Sequence, residues 1–228
     1  MKRNIILSIM AIAWFTSCRK MDDYKSFQGG KEIYYPGILD SARVFSGNKR
    51  VLLWGLFTSD PKIVKYKVFW NGKESSIEKD IVRSTGIDTV ELFLNNLNEG
   101  GISFEVRTFD AKGNSSVPVN VSGIVYGNNY ADGLINRGYN RGTTVYDDNT
   151  GVLTIDWVSV DPTAIFTLVE YIGTNGENRM LKVTDVEATK TFITDYRKGT
   201  NIAINTAYLP NITAIDTFYV AKKEIFKR

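Results

Sequence analysis

From about residue 33 the chain alternates apolar and polar residues with period two. The alternating runs are rich in β-branched and aromatic residues and are bounded by Gly, Asn and Pro, the pattern of short half-buried strands. VLLWGLF (51–57) and VKYKVFW (64–70) are two such runs, and in the second Val64, Tyr66, Val68 and Trp70 fall on one face. Asn71-Gly72 follows at once, a hairpin signal because both residues tolerate the positive φ of a type I′ turn. TVELFL (89–94) and ISFEVRTF (102–109) alternate again, and Gly113-Asn114 closes the next turn. VPVNVSGIVY (117–126) reads as a last strand, with Pro118 marking an edge or an entry position.

The pattern then restarts. VLTIDWV (152–158), IFTLVEYI (165–172), a turn at Asn175-Gly176, RMLKV (179–183), KTFITDY (190–196), NIAINTAYL (201–209) and IDTFYVAKKEIF (215–226) give a second set of strands. Sliding the chain on itself by 101 positions sets Val51 on Val152, Asp60 on Asp161, Pro61 on Pro162 and Val68 on Val169. The same offset lays Leu52, Trp54 and Leu56 on Leu153, Ile155 and Trp157, which reads as a shared core phase and hence as two copies of one module. About seven short strands per copy, with no helical period, predict an antiparallel sandwich. The expected architecture is all-β: two tandem antiparallel β-sandwich domains, 29–127 and 143–228, joined by a connecting segment, 128–142.

The first residues carry a different signal. Lys2 and Arg3 precede a largely apolar run, 5–15, and then the small pair Thr16 and Ser17 before Cys18. This run is too short for a bilayer, which needs about 20 apolar residues, and has the form of a secretory signal peptide, 1–17. A Cys after two small residues resembles the bacterial lipobox, in which the thiol is acylated and becomes the mature N-terminus. Phe15 stands where that pattern usually has Leu. Cys18 is thus the expected lipid attachment, followed by a tether, 18–28, whose Lys20, Asp22 and Asp23 resemble the charged tag that sends lipoproteins of gut anaerobes to the outside of the outer membrane. The expected location is the outer membrane, lipid-anchored and facing the cell exterior.

Composition then removes most catalytic chemistry. The chain has no His and one Cys, so Ser-His-Asp triads, Cys-His pairs, imidazole-ligated metals and disulfides are outside its means. Among its 25 acidic residues a carboxylate pair for glycoside hydrolysis remains an alternative. Asp147, Asp148 and Asn149, or Asp110 with Asn114, carry oxygen ligands but lack the further acid of a strong Ca²⁺ site; turns use the same residues, and no metal or cofactor is expected. Of 28 basic residues two belong to the leader, so the remainder is close to neutral and carries no nucleic-acid footprint.

The tryptophans Trp54, Trp70 and Trp157 fall on the core phase as read above and are assigned to packing. YGNNYADGLINRGYNRG (126–142) lacks a strand period and gathers Tyr126, Tyr130, Asn136, Arg137 and Tyr139, amphipathic rings beside amide and guanidinium donors. These five are the candidate ligand-binding residues. The competing reading packs the segment between the sandwiches, with Leu134 and Ile135 as an apolar plug and Arg137 satisfying loop carbonyls.

LTIDW resembles the second strand of fibronectin type III and immunoglobulin-like modules, YKVFW the third, and the run from Leu97 through FEVRTFD the sixth. At the tyrosine corner of those modules this chain has Ile102 or Phe104, and the second copy shows no obvious Tyr. The order of YYPG, KRVLLWGLFTSDPKIVKYKVFWN, FEVRTFDAKGNSSVPVNVSGIVYG, YADGLINR and LPNITAIDTFYV resembles the lipoproteins grouped as domain of unknown function 4998, found beside polysaccharide-utilisation systems. That resemblance implies a cell-surface lipoprotein and no established activity. The leading expectation is a non-catalytic protein that binds glycan or an outer-membrane transport partner of a glycan-uptake complex. A structural spacer with only protein partners is the alternative.

Overall fold

The computed structural model describes residues 34–58 and 60–228. The signal peptide, the tether and Cys18 lie outside the described residues.

Seven strands form the first copy: β1 (Asp40–Ser46), β2 (Arg50–Phe57), β3 (Ile63–Trp70), β4 (Ser75–Asp80), β5 (Asp88–Asn95), β6 (Gly100–Asp110) and β7 (Val119–Val125). They make two antiparallel sheets, β1-β2-β5 and β4-β3-β6-β7, with Val51, Leu53, Phe57, Val68, Phe104, Val106 and Val125 buried between them. After a one-turn helix α1 (Asn128–Asp132) the second copy repeats the arrangement with β8 (Val145–Asp147), β9 (Val152–Asp156), β10 (Ala164–Ile172), β11 (Asn178–Val183), β12 (Lys190–Ile193), β13 (Asn201–Tyr208), β14 (Phe218–Tyr219) and β15 (Glu224–Lys227). Its sheets run β8-β9-β12 and β11-β10-β13, with β14 and β15 both pairing β13. In each copy the fourth strand pairs with the third instead of joining the first sheet, which sets the fold apart from the immunoglobulin constant arrangement and makes it fibronectin-III-like.

Several expectations need correction. On β2 the core residues are Val51, Leu53 and Phe57, so Leu52, Trp54 and Leu56 point away from the core. On β9 and directly after it the core residues are Leu153, Ile155 and Trp157, so the offset of 101 laid an outer face on an inner one, although it holds for Val68 and Val169. Trp54 is therefore not a core residue, while Trp157 is buried and Trp70 packs partly against the first core. Val64 is exposed because a register shift between Ile63 and Lys65 hands its core position to Ile63. The Asn71-Gly72 hairpin forms, but over four residues: Trp70 pairs with Ser75, and Asn71, Gly72 and Lys73 all take positive φ.

The run 215–226 is two short strands, not one. Between them β13 receives the connecting segment instead: the Asn136 side chain accepts the Thr206 N–H at 2.9 Å and donates to the Lys222 carbonyl at 2.6 Å, and the Arg137 N–H donates to Thr206 Oγ1 at 2.8 Å. A side-chain amide thus fills the place of a missing strand residue, which satisfies backbone groups that would otherwise be stranded. Near the corner where no Tyr was expected in the second copy, the fully buried Tyr196 donates from its hydroxyl to the Thr200 carbonyl at 2.6 Å and accepts the Arg228 N–H at 3.3 Å. Tyr196 precedes β13 and bonds downstream, so it closes this corner by a different route from the tyrosine corner of antibody domains.

The two copies meet at a tight seam. Ile215 N–H donates to the Ser46 carbonyl at 2.8 Å, and Arg50 makes a two-pronged ion pair with Asp216, which also accepts the Asn48 N–H. At Gly47 a Cβ would lie 2.5 Å from Asp216 Oδ2 and 2.8 Å from Ile215 Cγ1, so only glycine admits this approach. Tyr126 and Tyr130 set their rings edge-on to each other at 4.8 Å and both contact Phe218.

Candidate functional site

The five candidate residues are divided by the fold between the seam and a groove. Tyr126 and Tyr130 belong to the aromatic cluster with Phe218, and burial pushes the Tyr130 phenol above its ordinary pKa. Glu99 fixes the start of α1 by accepting the N–H groups of Asn129 and Tyr130 at 2.9 and 2.8 Å. Asn136, Arg137 and Tyr139 come together with Arg141, Val220 and Glu224 along a groove of about 440 Å³ beside the break between β14 and β15.

Within that groove most of the recognition chemistry faces inward. Arg137 is 3% exposed, donates to the carbonyls of Ala188 at 2.7 Å, Val158 at 3.4 Å and Asp185 at 3.5 Å, and lies over the Trp157 ring at 5.0 Å. Tyr139 stacks on Phe226 at 4.2 Å. Leu134 packs against a small cluster of Ala164, Tyr208 and Val220, but Ile135 is 76% exposed, so only half of the expected plug is buried. The polar groups left toward solvent on this groove are the exposed Arg141 and the half-buried Glu224, an ion pair at 3.5 Å.

The weighed oxygen clusters are turns. Asp110 accepts the N–H groups of Lys112 and Asn114 and the Asn114 amide, and Asp147 accepts the Asn149 N–H and the Thr150 hydroxyl. These donors hold both carboxyls below the usual carboxylate range, the Asn114 amide foremost for Asp110 and the Asn149 N–H for Asp147. Among the described residues no three Asp, Glu, Cys or His side chains gather as a metal cluster, and no helix is long and apolar enough to cross a membrane.

A second surface escaped the sequence reading. Cross-strand pairing lays the outward residues of the first copy's three-stranded sheet in three rows: Phe45, Leu52 and Phe93; Arg43, Trp54 and Glu91; Asp40, Leu56 and Thr89. Side chains two apart along a strand are about 7 Å apart and directly paired ones about 5 Å, so these rows form one continuous face. Phe93 is 47% exposed and Trp54 half-buried. A register shift in β1 between Asp40 and Arg43, with Ser41 at φ 53°, sets Arg43 rather than Ala42 opposite Trp54, and Ala42 turns to the core.

The second copy is an internal control. The matching face of β9 shows Val152, Thr154 and Asp156, with Asp147 opposite Val152 and Lys190 opposite Asp156; Val145 and Phe192 flank Thr154. The module therefore folds with Thr and Asp in the middle of this sheet. Leu, Trp and Leu on the first copy are not a requirement of the fold.

Comparison with known proteins bears on kinship more than on activity. No curated protein matches the chain. Among solved structures it resembles a two-fibronectin-type-III-domain segment from chicken tenascin, with 14% identity, TM-score 0.32 and coverage of 84% of this chain and 100% of that one. It also resembles the FN1–FN3 domains of chicken CNTN1, with 10% identity, TM-score 0.38 and coverage of 86% and 68%. A family model described as a domain of unknown function matches residues 18–218, and the chain belongs to that family, DUF4998.

Proposed function

We propose that this protein is a non-catalytic cell-surface binding protein, lipid-tethered through Cys18 at the outer membrane, which holds a ligand of glycan uptake on the outward face of β1-β2-β5. The observation that carries this reading is the difference between the copies. Two sandwiches that share the order of their three-stranded sheets differ at the centre of the same face, Leu52, Trp54 and Leu56 against Val152, Thr154 and Asp156. Half-buried apolar side chains that the second copy does without, continuous with the exposed Phe93 and rimmed by charge, suit an interaction surface. A rigid β scaffold suits that role because it costs little ordering entropy on binding.

The seam favours a second component of the same role. Because Arg50, Asp216 and Gly47 lock the copies together, the second copy supports the first at a fixed angle, as a spacer would.

The test is retention on the immobilised full chain, in mild detergent, of polysaccharides and of solubilised envelope proteins, compared between the wild type and Trp54→Thr. A ligand held by the wild type and lost by the variant is expected; equal retention by both contradicts the assignment. Separately, lipid labelling that persists in Cys18→Ala contradicts the anchor.

A further inference from the structure

We infer that the face centred on Trp54 takes the side of a neutral polysaccharide chain, stacked on the indole and held through its hydroxyls by Arg43 and Glu91. The inference rests on the proposed function and names the chemical class of its ligand.

Three observations point the same way. Trp54 lies between Leu52 and Leu56 along β2, so the indole sits on an apolar strip, the surface that the C–H face of a pyranose ring requires. Its two cross-strand partners, Arg43 and Glu91, are exposed, and among the described residues neither side chain makes a hydrogen bond or an ion pair. On the other sheet faces some charges are paired, Glu105 with Lys73 and Arg107, Glu78 with Lys65 and Glu170 with Lys223, while others, such as Lys79 and Lys190, have no ion pair among the described residues. Among the described residues the side chains of Arg43 and Glu91, on either side of the indole, keep their hydrogen-bonding capacity for something else.

The chemistry of the row selects the ligand. Arg is a donor only and a carboxylate an acceptor only, whereas a hydroxyl does both. A hydroxyl-rich neutral chain lying across Trp54 can therefore satisfy Arg43 at one edge and Glu91 at the other. A uronic-acid polymer would set its carboxylates against Glu91, and a cationic polymer its ammonium groups against Arg43. The β1 bulge that brings Arg43 into register supports the same reading, since bulges characteristically re-aim one side chain at a site. An open sheet face meets the flank of a long chain, not a terminal sugar, which needs a pocket.

The experiment is calorimetric titration of the full chain in mild detergent with neutral polymers (mixed-linkage β-glucan, galactomannan, starch) and uronic-acid polymers (polygalacturonate, alginate). Saturable binding to a neutral polymer is expected, about tenfold weaker or worse in Trp54→Ala. Glu91→Gln and Arg43→Met, both at exposed positions, are expected to weaken it several-fold with the melting temperature unchanged, which guards against a Trp54 variant that fails to fold. Preference for polyuronates, or binding indifferent to Glu91→Gln, overturns the ligand class. Absence of glycan binding also overturns it, and a photo-crosslinker at position 54 on intact cells then separates the two claims. Crosslinking to one envelope protein leaves the face as a binding surface with the wrong ligand assigned; no crosslink removes the proposed function as well.

Discussion

Arg50 grips Asp216 across 166 positions of sequence, Nη2 to Oδ1 at 2.6 Å and Nε to Oδ2 at 2.8 Å, and so joins the start of β2 to the loop before β14. Asp216 Oδ2 also accepts the Asn48 N–H at 2.8 Å, which ties the carboxylate to the backbone of the first copy. The two sandwiches are held by a directional, partly shielded contact and not by apolar area alone.

That contact carries a pH dependence of known sign. The hydrogen bonds from Arg50, and then the Asn48 N–H, depress the Asp216 pKa below its ordinary value. A carboxyl with a lower pKa folded than unfolded contributes stability that is full above about pH 4 and is lost as pH falls through the folded value. The melting temperature of the wild type is expected to drop more steeply below pH 4 than that of Asp216→Asn. At pH 7 the variant is expected to be destabilised by about 1–2 kcal/mol, the upper end being limited by partial exposure of both side chains. Parallel acid limbs in thermal melts of the two proteins would count against the seam.

Gly47 sets how closely the copies approach. Gly47→Ala places a methyl group against Asp216 and Ile215, and Asp216 cannot swing aside without releasing Arg50 and Asn48. Gly101→Ala, at a strand glycine with open space around it, is the control. The first variant is expected to melt several degrees lower and to show increased hydrogen exchange at Asn48 and Ile215; the second is expected to behave as wild type.

Arg137 is a structural cation in the second copy. Arg137→Met removes the donors to three carbonyls and the charge over Trp157, and is expected to cost about 2–4 kcal/mol in denaturant unfolding. Lysine is not expected to restore the loss, because a single ammonium cannot reproduce the planar fork that reaches Val158, Asp185 and Ala188 together. A variant as stable as wild type would return Arg137 to the list of ligand-facing residues.

Most strands were legible because period two and the turn residues coincide along much of the chain; β1 (DSARVFS), β4 (SSIEKD) and β8 (VYD) were not, being short or mainly polar. The face of β2 was not, and the reason is local. VLLWGLF is apolar on both faces, so periodicity alone cannot choose between them. The core position at Gly55 carries no side chain at all: Leu39 fills it, with its Cγ 2.6 Å from where a Cβ would stand. A small residue on the inner face and a tryptophan on the outer one invert the usual signal. The groove residues were found together by composition, and an Arg137 turned to loop carbonyls was one of the two readings; the place of Asn136 in the gap of β13 pairing between β14 and β15 is a long-range relationship that no local pattern encodes.

The most direct measurement compares two variants of the full chain for binding to a neutral polysaccharide. One removes the outward face with Trp54→Thr and Phe93→Ser; the other removes the polar groups left toward solvent on the groove with Arg141→Ala and Glu224→Ala. Loss of binding in the first with retention in the second, at matched melting temperatures, is the expected result. Retention in the first and loss in the second would place recognition in the groove and contradict the assignment of the Trp54 face.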